Sequence, residues 1–507
     1  MSTHRNIDRI CIVVLVLTLL LTIAFMNGEK LGIQAVADED AESYTGTTYF
    51  TANDQDGTWS DNAYTTYITL SGDTAKIKGN GAYAYNGGVV ITNGGWYVLS
   101  GTLTDGSITV DAHDSSKIWL RLEGVDVTCR DDACLIVDQA DKVFLTLAEG
   151  SENTFTSGAS YSAAALEDNT GGVIFAHDDL TINGSGRLTI IANYKHGIDA
   201  NDSLVITGGV ISVTAPQDGI HVNDSFRFMA ADLTISAGDD AVHSDEELYV
   251  ESGTILITEC YEGLEAITID IVGGDITVYP SDDGLNANGS SSGMMGAIGG
   301  FNGMGRMDGM RGNDTEDGNQ PAEGGGGTQP ETFGEAFDRA GEVLQSDMVE
   351  ETYIRISGGI ITIINETGND ADGLDSNGYI RISGGTVRVF DAAGQPESAI
   401  DCDYSCDITG GILIAAGAQP SMNGSIPSTS STQGWVSVNG SFSNGTTLTV
   451  KDASGNELMS ETVKCSASNV ILSAPGMTSG TSYTDNGLAA GTYYYKEIGR
   501  ASCRERV

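Results

Sequence analysis

The stretch HGIDANDSLVITGGVISVTAPQDGIHVND, residues 196–224, contains two copies of one pattern. Each copy opens on a His-Gly-Ile or Asp-Gly-Ile segment, and Gly219 follows Gly197 after 22 residues. Related segments continue the series, and their second positions are Gly197, Gly219, Ala241, Gly263, Gly284, Gly373 and Ala399. A regular period of about 20 to 50 residues indicates a repeat in which each unit packs on the next.

Each repeat also contains two short runs of alternating apolar residues. In the first copy, Leu204 and Ile206 precede a Gly-Gly turn, and Ile211 and Val213 follow it. Alternation of this kind indicates strands with one buried face. A unit this short, without a helix, buries that face only by stacking on its neighbours. The sequence therefore predicts an all-β, single-stranded parallel β-helix with about 22 residues per turn and a small C-terminal β region.

Composition limits the classes of ligand. The 507 residues include 70 Asp and Glu but only 24 Lys and Arg, which gives a formal net charge of −46. Nucleic-acid binding is excluded, because a polyanion requires a surface rich in Lys and Arg. The balance favours cations, or neutral polymers, as ligands.

The N-terminus has the pattern of an export signal. Arg5 and Arg9 precede an apolar run over residues 10–26, so residues 1–37 are predicted to be a cleaved signal peptide or a retained membrane anchor. Both alternatives place the protein outside the cytoplasm, in the extracellular space or at the cell surface. The second alternative adds membrane attachment through the N-terminal helix. We expect a monomer.

The other predicted boundaries follow from composition and repeat spacing. The last eleven residues, EIGRASCRERV, resemble a translated sequencing-adaptor sequence and are left out of the fold prediction. The predicted segments are N-terminal strands over 38–95, a parallel β-helix carbohydrate-binding domain over 96–420, a flexible Gly/Met-rich insertion over 289–350 within it, a C-terminal β-rich segment over 430–496, and the adaptor-like tail over 497–507.

Stacking places the polar residues of successive motifs in columns, with neighbours about 4.8 Å apart. The central column is Asp199, His221, His243, Glu265, Asn286, Asp375 and Asp401. The column before it is His196, Asp218, Asp240, Glu262, Asp283, Asp372 and Ser398. The column after it is Asn201, Asn223, Asp245, Asn288, Asn377 and Asp403, with Ile267 interrupting it.

These columns predict a metal-binding edge. Carboxylates at this spacing repel one another, and Ca²⁺ removes the repulsion by accepting six to eight oxygen ligands. Zinc is disfavoured, because His196, His221 and His243 form no familiar ligand set. The alternative is that Asp and Asn only form tight corners through bonds to backbone N–H groups. The predicted Ca²⁺ ligands are Asp199, Asn201, Asp202, Asp218, Asn223, Asp224, Asp239, Asp240, Asp245, Asp283, Asp372 and Asp375.

At this point the sequence resembles a known family. The segments HGIDANDSLVITGG (196–209), WYVLSGTLTDGSITVDA (96–112) and DDLTINGSGRLTI (178–190) are similar to those of bacterial cell-surface carbohydrate-binding β-helix proteins. The resemblance covers about residues 96–417. It implies a right-handed parallel β-helix like that of pectate lyases, Ca²⁺ binding, and binding to cellulose- or pectin-like polysaccharide. The long insertion and Ile267 depart from the family pattern.

Three functions remain open, in this order of preference. The first is an exported, Ca²⁺-binding protein that attaches to plant-type or cell-surface polysaccharide through a rigid face. The second is a Ca²⁺-dependent, pectate-type lyase, for which Lys195 is the one basic residue adjacent to the acids. The third is a structural surface adhesin without catalysis or glycan binding. We assign no catalytic residue, and the predicted sugar contacts are Tyr194, Lys195, Tyr261, Tyr279 and Tyr379.

Overall fold

The structure is a computed structural model that describes residues 49–60, 62–288, 352–366, 371–392, 398–419, 425–452 and 454–478, together with the backbone of three short strands beyond residue 483. The predicted leader or anchor (1–37) and the predicted insertion (289–350) lie outside the described residues, and only part of the tail (497–507) lies within them. In the described part of the chain, no helix is both long enough and apolar enough to span a membrane.

The unit formed by residues 50–507 is nearly all β, and its stacked parallel strands form a solenoid of about 10 turns. The predicted fold is therefore confirmed. Each turn contributes strands to three parallel ladders. Within a repeat, the strand before the Gly-Gly turn belongs to ladder 1, the strand after it to ladder 2, and the strand that follows these two to ladder 3. The two predicted apolar runs form ladders 1 and 2, and the acidic motif itself forms a third strand.

The strands of ladder 1 are Gly95–Leu103, Lys117–Cys129, Lys142–Leu147, Leu180–Gly184, Leu204–Ile206, Ser225–Phe228, Glu247–Val250, Thr268–Ile271, Tyr353–Ile356, Tyr379–Ile382 and Ser405–Ile408. Strands Gly95–Leu103 and Lys117–Cys129 are long enough that their C-terminal halves also form the first two strands of ladder 2. The other strands of ladder 2 are Glu152–Ser157, Arg187–Ile191, Val210–Ala215, Asp232–Ala237, Thr254–Cys260, Asp275–Pro280, Ile360–Asn365, Thr386–Asp391 and Ile412–Gly417. The strands of ladder 3 are Gly88–Ile91, Ser107–Asp111, Leu135–Gln139, Gly172–Ala176, His196–Ala200, Ile220–Val222, Val242–Ser244, Leu264–Glu265, Leu285–Ala287 and Leu374–Ser376.

Apolar columns fill the interior of the solenoid. Leu180, Leu204, Phe226 and Leu248 are register partners in successive turns, and all four are fully buried. The motif glycine is required by the same packing. A Cβ on Gly197 would lie 2.3 Å from Cγ1 of a core valine and 2.5 Å from a carbonyl oxygen of the next turn. The glycine therefore lets ladder 3 approach the core closely.

The Gly-Gly turn between ladders 1 and 2 has a separate conformational cause. Gly209 has a φ of 91°, in the left-handed region that residues with a Cβ rarely adopt. This turn lets the chain change direction between two short strands within each repeat, which is why the Gly-Gly pair recurs with the apolar runs.

Antiparallel strands cover the N-terminal end of the solenoid. Strand Thr66–Gly72 pairs antiparallel with Thr74–Lys78 and parallel with the first strand of ladder 1. Strand Ala82–Tyr85 pairs antiparallel with the first strand of ladder 3. Covering these edges prevents them from pairing with other chains.

A short segment before these strands binds the outside of ladder 1. Asp54 accepts a hydrogen bond from Thr181 Oγ1 at 2.6 Å, and Lys142 Nζ lies 3.1 Å from its carboxylate. Burial acts to raise the pKa of Asp54, but Lys142 and Thr181 outweigh it and hold that pKa below its usual value. The two described helices are Ala52–Gln55, which carries Asp54, and Ala163–Glu167.

A second antiparallel arrangement follows the last turn. Strand Ala467–Ser473 pairs with Ile412–Gly417 of ladder 2 and with Trp435–Phe442. It contributes to a separate apolar cluster that includes Phe442, Val470 and Leu472. The remaining C-terminal strands are Thr447–Lys451, Glu457–Thr462, Thr484–Asp485, Thr492–Glu497 and Arg500–Glu505.

Candidate functional site

The outer face of ladder 3 carries the polar columns of the repeat. In strand His196–Ala200, Ile198 and Ala200 lie in the core, so Asp199 between them faces outward. Strand pairing places its counterparts side by side in the predicted register. The resulting column is Asp199, His221, His243, Glu265, Asn286, Asp375 and Asp401.

Two clusters with different chemistry share this face. The histidine half comprises His196, Asp218, His221, Asp240, His243 and Glu265. The carboxylate half comprises Glu262, Asp283, Asp372, Asp375 and Asp401. Ile267, which interrupts the third column, follows the turn at which the two halves meet.

In the histidine half, Asp218 lies between two imidazole rings. Its Oδ2 is 3.1 Å from Nδ1 of His196 and 2.9 Å from Nδ1 of His221. The two rings stack with centroids 5.0 Å apart. Burial acts to raise the pKa of Asp218, but the two histidines outweigh it and hold that pKa well below its usual value.

His243 is surrounded by three carboxylates. Its Nδ1 contacts Glu265 and lies 3.4 Å from Asp240, and its Nε2 lies 3.1 Å from Asp245. Burial acts to lower the pKa of His243, but these carboxylates raise it to about 12. His243 is therefore an imidazolium that compensates part of the negative charge of this half.

The carboxylate half has no such compensation. Ligand atoms of Asp372, Asp375 and Asp401 all lie within 4.8 Å of one another. Asp283 Oδ1 accepts a hydrogen bond from the Asp372 backbone N–H at 2.7 Å, and Asp372 Oδ1 accepts one from the Ser398 backbone N–H at 2.8 Å. Within the described residues, none of the five carboxylates of this half pairs with a lysine, arginine or histidine.

Burial and mutual repulsion raise the pKa values in the carboxylate half. Burial, together with neighbouring carboxylates, raises the pKa of Asp283 to about 9, that of Glu262 to about 8 and that of Asp375 to about 7. The pKa values of Asp372 and Asp401 are also raised, and burial is the main cause in both. With these pKa values, Asp283 and Glu262 hold protons at neutral pH unless a cation replaces the protons.

Asn286 lies in the same column, one turn before Asp375. Its Nδ2 donates to Glu262 Oε2 at 2.8 Å, whereas its Oδ1 is buried and has no hydrogen-bond partner. A buried carbonyl oxygen without a partner is energetically unfavourable. The column alignment included Asn286 and Asp401, but the predicted ligand set omitted both.

The twelve predicted ligands do not form one site. Asp199, Asp218, Asp239, Asp240 and Asp245 lie in or beside the histidine half, whereas Asp283, Asp372 and Asp375 lie in the carboxylate half. The other four, Asn201, Asp202, Asn223 and Asp224, occupy the corner that leads from ladder 3 to ladder 1. At that corner Asn201 Nδ2 lies 2.9 Å from His177 Nδ1, and burial with neighbouring acids raises the pKa of Asp202 to about 6.

Tyr261 and Tyr279 line a groove at the corner between ladders 2 and 3. The groove has a volume of about 340 Å³, and Glu259, Ile364 and Glu366 also line it. Tyr261 is 48% exposed and Tyr279 is 38% exposed. A hydrogen bond with Asp282 raises the pKa of Tyr261, and Asp282 precedes Asp283 of the carboxylate half.

The other predicted sugar contacts lie elsewhere. Tyr194 packs against Tyr161 with ring centroids 5.1 Å apart, and Lys195 Nζ lies 5.9 Å from the Tyr194 ring. Tyr379 lies on ladder 1, where Arg381 covers its ring at 4.7 Å. Of the five, the structure therefore brings Tyr261 and Tyr279 together in the groove, pairs Tyr194 with Lys195 elsewhere, and places Tyr379 apart from both pairs.

Comparisons with known proteins agree with the sequence pattern. Residues 85–268 match the model of a family described as carbohydrate-binding domain-containing protein. A protein of the same description from Acetivibrio thermocellus is 40% identical over 128 residues, which are 25% of this chain and 45% of that protein. The chain thus spans less than half the length of the curated relative that it matches.

A solved polysaccharide lyase-like protein from C. thermocellum, studied as a gadolinium derivative, is also similar. It is 23% identical, with a TM-score of 0.36, and the match covers 68% of this chain and 94% of that chain.

Proposed function

We propose that the protein binds polysaccharide, with the glycan held in the groove between Tyr261 and Tyr279 and with Ca²⁺ bound at the adjacent carboxylate half. The observation that carries the proposal is this groove, in which two exposed tyrosines lie beside a cluster of uncompensated carboxylates. The family match over residues 85–268 supports the same class of ligand. The apolar segment over residues 10–26 supports export to the surface where such polymers occur.

The groove suits a sugar ring chemically. Binding sites for small ligands combine aromatic walls with a few polar groups that fix orientation. Here the tyrosine rings supply apolar faces, and the Glu259 and Glu366 carboxylates can accept hydrogen bonds from sugar hydroxyl groups. The same carboxylates repel a uronate, so an acidic polymer such as pectate binds only with a cation between. A neutral, cellulose-like polymer needs no such bridge.

The residues of the carboxylate half fit Ca²⁺. This ion prefers carboxylate and amide oxygens and tolerates irregular geometry. Asp283, Asp372, Asp375 and Asp401 supply carboxylates, and Asn286 Oδ1 supplies an amide oxygen that has no partner. Bound Ca²⁺ would replace the protons that burial retains on these groups and would remove their mutual repulsion.

Binding is favoured over β-elimination by the position of the candidate base. Lys195 and Tyr261 occupy the same corner of the solenoid, three turns apart. Gln217 and Asp239 occupy that corner in the two turns between them, and backbone hydrogen bonds connect the four residues in sequence. Three such steps place Lys195 about 14 Å from the groove. Lys195, the basic residue that the sequence analysis considered for a lyase, is therefore remote from the groove tyrosines Tyr261 and Tyr279 and from the carboxylate half.

A pull-down on insoluble cellulose, and on calcium pectate gel, tests the glycan site. We expect retention of the full chain and at least tenfold weaker binding for Tyr261→Ala and Tyr279→Ala, because each removes one aromatic wall. Tyr64→Ala is the matched control, since Tyr64 is 84% exposed and outside the groove. Equal retention of all four proteins, or appearance of unsaturated products from the pectate, would contradict the proposal.

Calorimetric titration with Ca²⁺ tests the metal site separately. We expect binding to the wild type and a loss of roughly tenfold or more in affinity for Asp375→Asn. Asp275→Asn is the control, because Asp275 is exposed on ladder 2. At a free Ca²⁺ concentration of 100 times Kd, the wild type should gain about 2.7 kcal/mol of stability. Identical affinities of the two variants would remove the carboxylate half as the site.

A further inference from the structure

The three histidines of ladder 3 lie in different environments. Both ring nitrogens of His243 face carboxylates, which supply acceptors for both of its N–H groups. His196 and His221 instead direct their Nδ1 atoms at one shared oxygen, Asp218 Oδ2. One oxygen thus serves two nitrogens in this pair.

The pair leaves one nitrogen unsatisfied. His196 Nδ1 is buried and makes no hydrogen bond, although it lies 3.1 Å from Asp218 Oδ2. A buried ring nitrogen without a partner is unusual in a folded protein. Its lone pair is available to a metal ion when the ring is neutral.

We propose that His196, Asp218 and His221 bind a transition-metal ion of the zinc class through the two Nδ1 atoms and one carboxylate oxygen. Ligand atoms of the three residues all lie within 4.8 Å of one another. A tetrahedral zinc ion with bonds of about 2.0–2.2 Å holds its ligands roughly 3.3 Å apart. The observed separations from Asp218 Oδ2, 3.1 and 2.9 Å, require only small adjustments.

The donor set distinguishes this site from the carboxylate half. Imidazole nitrogen suits zinc, copper and nickel, whereas Ca²⁺ prefers oxygen ligands. The spacing of the three histidines gave no familiar zinc pattern, because the third ligand of the proposed site is Asp218 rather than His243. His221 is 28% exposed at its side chain, so solvent reaches the site and a fourth ligand position remains for water.

A bound ion would join two successive turns of the solenoid. His196 belongs to one turn, and Asp218 and His221 belong to the next. The ion would replace the ionic contact that now links the rings through Asp218. This site acts independently of glycan binding and of Ca²⁺ at the carboxylate half.

Titration of the metal-free full chain with Zn²⁺, in buffer that contains saturating Ca²⁺, tests the site. We expect binding that weakens by more than about tenfold in His196→Gln, in His221→Gln and in Asp218→Asn. His113→Gln is the control, because His113 is exposed and its ring hydrogen-bonds Ser115, far along the chain from the three ligands. Titration with Co²⁺ should give the visible absorption of tetrahedral nitrogen and oxygen ligation in the wild type and in His243→Gln.

The outcomes separate clearly. Zn²⁺ binding of unchanged affinity in His221→Gln and Asp218→Asn would overturn the proposal, as would binding that is lost in Asp375→Asn. Retention of the Ca²⁺ response in each variant shows that the chain is folded, so a loss of Zn²⁺ binding then reports on the ligands themselves.

Discussion

The histidine half and the carboxylate half of ladder 3 occupy the same register but compensate negative charge differently. In the first, His196 and His243 face carboxylates of the following turn, and His221 faces Asp218 of its own turn. In the second, Asp372, Asp375 and Asp401 converge without a basic partner among the described residues. The same repeat pattern therefore forms two kinds of stack. In one, histidines compensate the negative charge of the carboxylates; in the other, protons or a cation from solution must do so.

The difference separates structural from ligand-binding uses of the same positions. His243 stabilises neighbouring turns without any ligand, because carboxylates within the chain pair with both of its ring nitrogens. An aspartate in the same column leaves the charge open to an external cation. The family match over residues 85–268 includes the whole histidine half but ends before Asp283, the first aspartate of the carboxylate half.

Replacing His243 with glutamine should convert the first kind of cluster into the second. Glu265, Asp240 and Asp245 would lose their shared cation, and removing one partner of a buried ion pair typically costs about 3 kcal/mol or more. Amide hydrogen exchange at Val242, whose N–H donates to Gly263 O, measures this loss as a lower free energy of local opening. Ca²⁺ should restore protection in the variant.

Two comparisons control this prediction. His113→Gln should change the same opening free energy by less than about 0.5 kcal/mol, since His113 lies on the surface. In the wild type, Ca²⁺ should increase protection near Leu374 in the carboxylate half and leave Val242 unchanged. Equal protection at Val242 in His243→Gln and wild type would show that the histidine does not compensate these carboxylates.

The sequence predicted the fold because periodicity and alternation are properties of the backbone register. Leu204 and Ile211 identified two buried strands, and the spacing from Gly197 to Gly219 identified the stacking. The same spacing gave the correct register of the polar column. It did not reveal that the acidic motif is itself a strand, because the motif contains too few apolar residues to show alternation.

The choice of partners within the columns was not predictable in the same way. Glu265 extends back to His243 in the preceding turn, and Asn286 bonds Glu262 rather than Asp375. These contacts depend on side-chain rotamers, which the repeat spacing leaves free. Tyr379 lies on a ladder 1 strand, two residues before the Arg381 that covers its ring. The groove beside Tyr261, by contrast, is completed by Tyr279 and Ile364 from later turns, which the local sequence does not show.

The two halves should also respond to pH in different ranges when metal is removed by a chelator. Burial and neighbouring carboxylates raise the pKa of Asp283 from its usual 3.8 to about 9, so the folded chain keeps this proton up to about that pH. The unfolded chain binds fewer protons between these values, so the stability of the carboxylate half falls as pH rises from about 4 to about 9. The expected slope is on the order of 1 kcal/mol per pH unit for each such group.

Within the histidine half, His243 should respond only at higher pH. The pKa of His243 is raised from 6.5 to about 12, so its stabilisation is complete below pH 6.5 and declines as pH rises above that value. Hydrogen exchange between pH 4.5 and 6.5, corrected for intrinsic rates, should show decreasing protection at Leu374 and constant protection at Val242. Asp283→Asn should flatten the first profile, and parallel profiles at both amides would contradict the distinction between the halves.

The smallest expected effect is at Asn286, where the two halves meet. Asn286→Asp adds a carboxylate to the column and replaces the hydrogen bond to Glu262 with repulsion, so metal-free stability should fall by about 1 kcal/mol. The added charge should increase Ca²⁺ affinity by about tenfold, because affinity for this ion increases with the number of charged ligands. Calorimetry measures this change, and Asn288→Asp is the control because Asn288 is exposed two residues later. An unchanged affinity in Asn286→Asp would place the Ca²⁺ ligands entirely beyond Asn286, among the aspartates of the later turns.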